Sequence, residues 1–455
     1  MTRFGRPPGV LRAIGPALLS LAVLLGPAAL TASAQSSPVT LKMWFMPNGG
    51  DPAGAMQVEI DAFNQLHPEI AIDAQVVDWG SAFTRIQTGI QGGDAPCITQ
   101  VGTTWVPGFS AMGGFRPFTQ SEVAAMGGAS NFVGASWATA GLAGTSDVTA
   151  VPWFADVRAV AYRKDILAQA GLTPQDAFKD WTSFESTLAK VKQVAPDVAP
   201  LVHPGKNDWN VWQNTSMWIW TSGGDLLAPD YSQAVFNSPA AVRGVSEFTS
   251  LYAKGLTASD TLELNSSQTD QKFGDGKAFA EFSGPWLISN ARTDPSKGGW
   301  SNDVVRRNLA FAEFPSGPGG SYTFVGGSNL AILNSCPNPA EAVAFVQYLV
   351  GNESQVRYAL NIGMLPATQT AQQDGNFVGD PLFQPFLSAA AKGKTSAPIA
   401  QWGQIEPTLQ EQLQAVWDDL ANNHGQPLSD EQIKTRLDAA ARAVNGYLAA
   451  APTAN

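Results

Sequence analysis

The segment Val39-Thr40-Leu41-Lys42-Met43-Trp44-Phe45 decides the fold class. Every second residue in it is a large apolar one, so these side chains would share one face of an extended chain. Alternation over seven residues is typical of a β-strand with one face in a hydrophobic core. We therefore expect the globular part of the protein to open with a strand.

The residues after this strand alternate between helical and extended patterns. Met56, Ile60 and Phe63 have helical spacing, and Pro68 ends this first helix. Residues 70–76 alternate as in a strand, and Phe83, Ile86 and Ile90 indicate a second helix. A strand–helix–strand–helix order predicts an α/β architecture with crossover connections between parallel strands.

Helix signals dominate the rest of the chain. Thr182 with Glu185 has the spacing of a capping box, and so has Ser429 with Gln432. Asn338-Pro339 places a cap residue before a proline at the first helical position. The last two helices have long apolar stripes, which are Leu409, Leu413, Val416 and Leu420, then Ile433, Leu437, Ala440, Val444 and Tyr447.

The N-terminus predicts export. Arg3, Arg6 and Arg12 precede an apolar run over 13–25, and the small residues of 31–34 follow before Gln35. This is the layout of a secretory signal peptide, with an apolar run too short to span a bilayer; a retained membrane anchor is the alternative. No cysteine lies near the cleavage site for lipid attachment, so we expect a free, periplasmic protein that starts near Gln35.

Length and charge narrow the class of protein. The roughly 420 residues left after cleavage exceed what one hydrophobic core usually serves, which predicts two domains. Cleavage would take the net charge from −11 to −14, a sign that disfavours nucleic acid and anionic lipid as partners. Only 14% of the residues are charged, yet 14 are Trp. This composition suits a neutral, ring-shaped ligand, unless most of the indoles lie in the core.

Signatures of catalysis and of cofactor binding are missing. The three histidines, His67, His203 and His424, occur in no zinc-binding pattern, and the sequence has neither a nucleophile elbow nor a Walker A loop. We expect no cofactor and no metal. A secreted glycoside hydrolase remains the enzymatic alternative, because its two carboxylates need no fixed spacing in sequence.

Six segments, in order, resemble the extracellular solute-binding proteins of sugar ABC transporters, the group that includes maltose-binding protein. They are Leu41-Lys42-Met43-Trp44-Phe45, Gly92-Gly93-Asp94-Ala95-Pro96, 151–167, Gly276-Lys277-Ala278-Phe279-Ala280 with Phe282-Ser283-Gly284-Pro285-Trp286, Gly326-Gly327-Ser328-Asn329-Leu330-Ala331-Ile332, and Gly363-Met364-Leu365-Pro366. The sequence departs at Cys97, where relatives often have Asp.

The resemblance implies a type II periplasmic binding protein fold, with two α/β lobes, each a mixed sheet flanked by helices. Lobe 1 would comprise residues 39–149 and 324–362, and lobe 2 residues 155–313 and 366–455. The chain would cross between them near 150–154, 314–323 and 363–366, where Gly and Pro suit a hinge. The implied function is to bind a sugar, as a monomer without enzymatic activity, and to deliver it to membrane permease subunits. A two-lobed binder of a non-sugar solute is a further alternative.

Residues at the ends of strands are the first candidates for ligand contacts, since side chains there face clefts in α/β folds. Trp286 follows a strand directly, and Trp44 and Trp105 occupy similar junctions. An indole plane suits the C–H face of a sugar, whereas burial in the core is the alternative for each ring. Asn48 and Asp51 after the first strand are candidate polar contacts.

The remaining candidates come from the crossings and from loops. Trp153, Asp156 and Arg158 combine a ring, an acceptor and a planar donor, although the charged pair could instead brace the hinge. Gly326, Gly327 and Ser328 would let backbone N–H groups approach a ligand, or would form a tight turn. Trp402 and Glu406 could reach the ligand, or they could lie in a surface loop. Trp209, near Trp212, Trp218 and Trp220, could also reach the ligand, whereas core packing is the alternative for this group of rings.

The two cysteines, Cys97 and Cys336, could form one disulfide in an exported protein, with a structural role. Their separation in sequence does not show whether the two Cα atoms approach closely enough.

Overall fold

A computed structural model describes residues 38–93, 95–206, 208 and 211–450. The predicted signal peptide and the candidate Trp209 lie outside the described residues. Within these ranges, no helix is both long enough and apolar enough to cross a membrane.

The strands lie along the whole described chain. They are Val39–Phe45 (β1), Ile70–Val76 (β2), Ile98–Gly102 (β3), Val151–Val157 (β4), Ala159–Arg163 (β5), Ala199–Val202 (β6), Ala278–Ser283 (β7), Leu309–Ala312 (β8), Thr323–Ile332 (β9), Leu365–Pro366 (β10) and Gly393–Lys394 (β11).

The helices are Pro52–Leu66 (α1), Trp79–Gly92 (α2), Val106–Ala111 (α3), Gln120–Ala125 (α4), Gly134–Trp137 (α5), Lys164–Gln169 (α6), Pro174–Ala177 (α7), Trp181–Val194 (α8), Val211–Thr221 (α9), Pro239–Ala253 (α10), Ser266–Gly274 (α11), Trp286–Arg292 (α12), Asp303–Asn308 (α13), Pro339–Leu349 (α14), Asn352–Ile362 (α15), Gln369–Gln372 (α16), Gly375–Val378 (α17), Gln384–Ala390 (α18), Trp402–Asn422 (α19) and Asp430–Ala449 (α20).

The larger sheet has the strand order β10-β4-β9-β3-β1-β2, with β11 paired to β9. Strand β1 is parallel to both β2 and β3, and helices α1 and α2 form the crossovers between these three strands. The predicted strand–helix–strand–helix order is therefore confirmed. Because parallel strands end at the same edge of a sheet, the loops after β1, β2 and β3 lie together.

The smaller sheet has the order β6-β7-β5-β8 and is also mixed, since β6 is parallel to β7 while β5 is antiparallel to both of its neighbours. Both sheets lie in one compact unit that begins at Pro38. The α/β class is confirmed. The residue boundaries of two lobes and a hinge stay a prediction.

The two sheets are connected through neighbouring strands. Strand β4 of the larger sheet ends at Val157, and β5 of the smaller sheet begins at Ala159, so one residue, Arg158, joins them. The return from β8 enters the larger sheet through β9, which pairs with β4 in antiparallel register from Val325 to Leu330. Two connections between the sheets therefore run side by side.

Helix ends follow local chemistry, with one correction to the sequence prediction. The Thr182–Glu185 capping box is wrong, because Asp180 caps α8 by accepting a hydrogen bond from the Ser183 N–H at 2.8 Å. Glu185 instead forms an ion pair with Lys254. The box at Ser429 with Gln432 is confirmed at the start of α20.

Aromatic side chains fill the cores on both sheets. On the larger sheet, Phe63 of α1 packs edge-on against Phe345 of α14, with 4.8 Å between ring centroids. Next to the smaller sheet, Trp218 stacks on Phe248 at 5.3 Å, and both rings are fully buried. Truncation of such a ring to Ala costs about 3–5 kcal/mol. Trp212, Trp218 and Trp220 belong to this core, because all three are at most 1% exposed.

Cys97 and Cys336 form a disulfide, with 4.4 Å between their Cα atoms. Cys97 directly precedes β3, and Cys336 follows β9 after a short turn, so the bond joins the ends of two paired strands. It closes a loop across 239 positions of sequence, a length for which a cross-link restricts the unfolded chain strongly.

The β4–β9 pairing requires a glycine. Gly327 lies opposite Ala155, next to a β-bulge between Pro152 and Phe154, and has a φ of 122°. A Cβ at this position would overlap the carbonyl oxygen of Phe154. The glycine is therefore part of a strand, and the tight turn considered from sequence is not observed.

We predict that Gly327→Ala destabilises the protein by about 2 kcal/mol or more, because strain in this backbone region and a clash with main chain add together. Urea unfolding followed by fluorescence measures the change. Gly403→Ala is the matched control, since Gly403 is an exposed residue of helix α19 with open space around it, and the variant should gain a little stability. Equal stability of the two variants would contradict the prediction.

Candidate functional site

Arg158, the residue that joins the two sheets, is fixed through its backbone. Its N–H donates to the carbonyl oxygen of Phe324 at 3.1 Å, and its own carbonyl oxygen accepts from the Thr323 hydroxyl at 2.6 Å. Both partners begin strand β9. Strand β9, which pairs with β4, therefore also holds the link between β4 and β5. The backbone of Arg158 is fixed, and so is the position from which its side chain extends.

The Arg158 guanidinium contacts several of the predicted site residues. Nη2 donates to Oδ2 of Asp156 at 2.9 Å and to Oε1 of Gln213 at 3.3 Å. Its Cζ lies 4.7 Å from the centroid of the Trp286 ring, a distance at which cation and ring attract. Asp156 and Arg158 were predicted from one crossing and Trp286 from a distant strand end, and the structure brings the three together.

Trp286 is fixed at its edge and lies against backbone. Its Nε1–H donates to Oδ2 of Asp270 at 2.8 Å, and the Ser283 hydroxyl donates to Oδ1 of the same carboxylate at 3.3 Å. A Cβ at Gly284 would overlap the indole, so the ring rests on the glycine. Trp286 begins α12 directly after β7, as expected from sequence, and stays partly exposed.

A second acid, Glu281 of β7, lies beside Asp270 and is 1% exposed. Burial raises the pKa of Asp270, and burial together with the neighbouring Asp270 raises the pKa of Glu281 well above its usual value. Burial also raises the pKa of Asp156, against the opposing effect of Arg158. We call Asp156, Arg158, Asp270, Glu281 and Trp286 the Trp286 cluster. Asp270 and Glu281 were not predicted from the sequence.

A buried polar network lies at the ends of the strands in the larger sheet. The Gln100 amide donates to the Ser328 hydroxyl at 2.8 Å, and its Oε1 accepts from the Asn48 amide at 3.1 Å and from the Met46 N–H at 2.9 Å. All three side chains are at most 4% exposed. Asn48 and Ser328, predicted as ligand contacts, are therefore joined by Gln100, which orders the loop after β1.

Aromatic rings surround the same edge of the larger sheet. The Trp105 ring packs edge-on against Trp79 and against Phe83, each with 5.6 Å between centroids, and Arg85 lies 4.3 Å from the centroid of the Trp44 ring. Trp44 and Trp105 are half-buried, whereas Trp79 is 37% exposed. Trp79 was not predicted from the sequence, although it lies just after β2, and a position at a strand end is the signal that selected Trp44 and Trp105.

Glu406 in the second turn of α19 connects the smaller-sheet side to the loop after β3. Its Oε1 accepts from Nε1–H of Trp212 at 3.0 Å, and it has a further hydrogen bond with the Thr104 side chain. Burial raises the pKa of Glu406 to about 7, although both hydrogen bonds favour the charged form. Glu406 therefore titrates near neutral pH while it touches both parts of the protein.

Other predicted site residues have structural surroundings. Trp153 is 1% exposed and stacks on Tyr358 at 4.3 Å, and Trp402 is fully buried beside Trp212. With their faces covered, these two rings belong to the cores. Asp51 caps α1 by accepting from the Gly54 N–H at 2.9 Å. Gly326 lies within β9, opposite Asp156 of β4.

Two mixed sheets flanked by helices, joined through adjacent strands, define a type II periplasmic binding protein fold. Residues 48–356 match the family described as bacterial extracellular solute-binding protein. This match spans more than half of the chain, which therefore belongs to that family. The resemblance drawn from the six sequence segments is confirmed.

Named relatives are similar over most of their length. The diacetylchitobiose binding protein DasA of Streptomyces coelicolor is 23% identical over 376 residues, 81% of this chain and 82% of DasA. An ABC transporter solute-binding protein of Thermotoga lettingae, solved with α-D-tagatose, has a TM-score of 0.76 at 20% identity and covers 90% of this chain and 100% of its own. The sugar-binding protein MalE of Xanthomonas citri has a TM-score of 0.74 at 22% identity, with 90% and 98% covered.

We predict that Glu406 makes stability fall as pH rises through about 7. Its pKa is higher in the folded state than in the unfolded state, so the folded state binds the proton more tightly and loses this advantage when the proton leaves. The loss should be about 1–3 kcal/mol after allowance for solvent screening.

Urea unfolding at several pH values tests this prediction. Glu406→Gln keeps an oxygen acceptor for Trp212 but cannot ionise, so the variant should lack this part of the pH dependence. An exposed acid, Glu431→Gln, is the control and should retain it. An identical pH profile for wild type and Glu406→Gln would show that Glu406 does not titrate in this range.

Proposed function

We propose that this protein binds a sugar between its two sheets and delivers it to the membrane permease of an ABC transporter, without transforming it. Family membership supports solute binding. The relatives include proteins described as binding diacetylchitobiose and as binding sugar, which supports a carbohydrate ligand.

The observation that supports this proposal most strongly is the Trp286 cluster. It places a partly exposed indole beside an Asp–Arg pair at the point where the chain passes between the sheets. A sugar has an apolar C–H face and a rim of hydroxyl groups, so its recognition needs an aromatic plane and fixed polar groups next to it. The cluster supplies both.

The charge of the cluster favours a neutral ligand rich in hydrogen-bond donors. Arg158 is its one cation, and Asp156 and Gln213 already engage that cation. Oδ1 of Asp156 is buried and has no partner among the described residues, so it can accept from a ligand hydroxyl. A phosphate would meet more acids than bases at this site, and its binding would be opposed.

The contacts proposed on the larger-sheet side are Trp44, Trp105 and the newly found Trp79, with the Gln100 network fixing the loop behind them. Glu406 would complete the site from α19. Trp209 stays a prediction from sequence. Trp153, Trp402 and Asp51 are left out of the proposed set, because core packing and helix capping account for them.

Binding would be coupled to closure of two lobes, with the boundaries predicted from sequence. Arg158 and the strand pair β4–β9 lie where the crossings would bend, and Glu406 with Thr104 shows that α19 can meet the loop after β3. Since contacts from both lobes form fully only after closure, the ligand would stabilise the closed state by its higher affinity for it. The closed form, as a monomer, would be the one that docks on the permease.

A glycoside hydrolase is supported less well by the geometry. Asp270 and Glu281 touch each other, whereas the two carboxyl groups of glycosidases are about 5–9.5 Å apart. His203 is fully buried between Phe248 and Trp417, and burial lowers its pKa to about 4, so it is neutral and shielded from a substrate. Within the described residues, no group of His, Cys, Asp and Glu side chains could hold a metal ion.

Calorimetric titration with maltose, α-D-tagatose and diacetylchitobiose, and with longer oligomers, tests the proposal, with chromatography of the same samples to detect products. We predict saturable binding of at least one sugar in the micromolar range or tighter and no product. Absence of heat for every sugar would redirect the proposal to another solute, and turnover would overturn it in favour of an enzyme.

Trp286→Ala should weaken the binding of that sugar by at least about 100-fold, because a stacking plane and its cation contact are lost together. Trp137→Ala is the matched control. Trp137 is also half-buried and stacks on Phe132, but it lies on the short helix α5, and the variant should bind normally. Equal affinities of both variants would remove Trp286 from the site.

A further inference from the structure

Among the residues that the structure describes, three indole N–H groups donate to carboxylates. Trp212 donates to Glu406, Trp220 to Asp225 at 3.0 Å, and Trp286 to Asp270. Asp225 is half-exposed and forms an ion pair with Lys394, as many surface carboxylates do. Asp270 differs, because it is part-buried and its neighbour, Glu281, is a fully buried acid.

The surroundings of Asp270 and Glu281 contain too little positive charge for two carboxylates. The charged groups that face the pair are Arg158 and, through Arg158, Asp156. The Trp286 N–H and the hydroxyl groups of Ser283 and Thr269 provide neutral polar contacts. Two adjacent carboxyl groups in a buried site cannot both ionise cheaply, so such a pair retains one proton between them.

Glu281 and Asp270 lie on different elements that meet under the indole. Glu281 lies in the middle of β7, where its backbone pairs with Ala161 of β5, and is fixed by the sheet. Asp270 lies on α11, which packs on β7, and its two oxygens accept from Trp286 and Ser283. If the pair separates, Asp270 is therefore the member that can move, and the hydrogen bond to Trp286 moves with it.

We propose that Asp270 is a positioning residue for Trp286. Because Asp270 shares a proton with Glu281, the orientation of the indole, and hence sugar binding, depends on pH. The link to sugar rests on the function proposed above; the link between the acid pair and the indole does not.

The direction of the effect follows from charge. When the shared proton leaves, two negative groups adjoin in a largely buried site with Arg158 as the cation that faces them, so the pair repels and Asp270 shifts. The indole rests on Gly284 and has little room to follow without rotating. Affinity for sugar should therefore decrease as pH rises through the titration of the pair.

The indole N–H resonances of the ligand-free, uniformly ¹⁵N-labelled full protein test the first link. The Trp286 resonance is assigned by its absence in Trp286→Phe. From about pH 5 to about pH 9, above the ordinary range of carboxyl titration, it should shift in one step. The Trp220 resonance, assigned with Trp220→Phe, is the internal control and should stay constant over this range.

Two variants identify the origin of the step. Glu281→Gln and Asp270→Asn each replace one acid by an amide of the same shape, so no proton is shared and the step should vanish. Urea unfolding establishes that each variant is folded. A Trp286 resonance that stays constant in wild type, or a step that persists in both variants, would overturn the proposal.

The second link is tested with whichever of maltose, α-D-tagatose and diacetylchitobiose binds most tightly. Asp270→Leu should weaken binding by about tenfold, the loss expected for a hydrogen bond to a charged group. In Trp286→Phe, which has no N–H, the same substitution should have little effect. If the losses of affinity caused by Asp270→Leu and by Trp286→Phe simply added in the double variant, Asp270 would act independently of the indole N–H, and this would contradict a positioning role. If no sugar binds although the Trp286 resonance shifts as predicted, the link between the acid pair and the indole is supported, and the proposal that the ligand is a sugar is wrong.

Discussion

The antiparallel pairing of β4 with β9 is the constraint on which the rest of the structure depends. Both strands belong to the larger sheet; β4 continues into β5 of the smaller sheet through Arg158, and β9 follows β8 of the smaller sheet after residues 313–322. The pairing fixes Asp156 opposite Gly326, and it places Arg158 where Thr323 and Phe324 bind its backbone. Without Gly327, the two strands could not approach as closely as they do.

The side chains at this junction perform two tasks at once. Arg158 is buried and paired, as a residue that braces a connection should be, yet its guanidinium also covers part of the Trp286 ring. Because Arg158 forms the link between β4 and β5, a change in the geometry of that link would also change the contact between Arg158 and the Trp286 ring. The alternatives weighed from sequence, a hinge brace or a ligand contact, therefore need not exclude each other.

Local signals in the sequence predicted the fold well. Alternation in β1 and helical spacing in α1, α19 and α20 depend on neighbouring residues, and all four elements have the predicted type. The junction after β7 made Trp286 a candidate for the same reason. Capping at α8 failed because Asp180, one position before the helix, competes successfully with Thr182.

Much of the candidate site depends on contacts that no local pattern reveals. Gln100 lies in the buried strand β3, and its three partners come from β9 and from the loop after β1. Asp270 and Glu281 are 11 positions apart on a helix and a strand, and only packing brings their carboxyl groups together. The burial of Trp153 and Trp402 likewise follows from tertiary contacts, because no local pattern in the sequence distinguishes a Trp in a core from a Trp in a cleft.

A crystal structure of the protein with the tightest-binding sugar tests the central claim most directly. The account predicts electron density for the sugar between the two sheets, with one ring stacked on Trp286, a hydroxyl group on Asp156 and further contacts from the loops after β1, β2 and β3. Density at a surface remote from the β4–β9 junction, with Trp286 and Asp156 free of sugar, would contradict it.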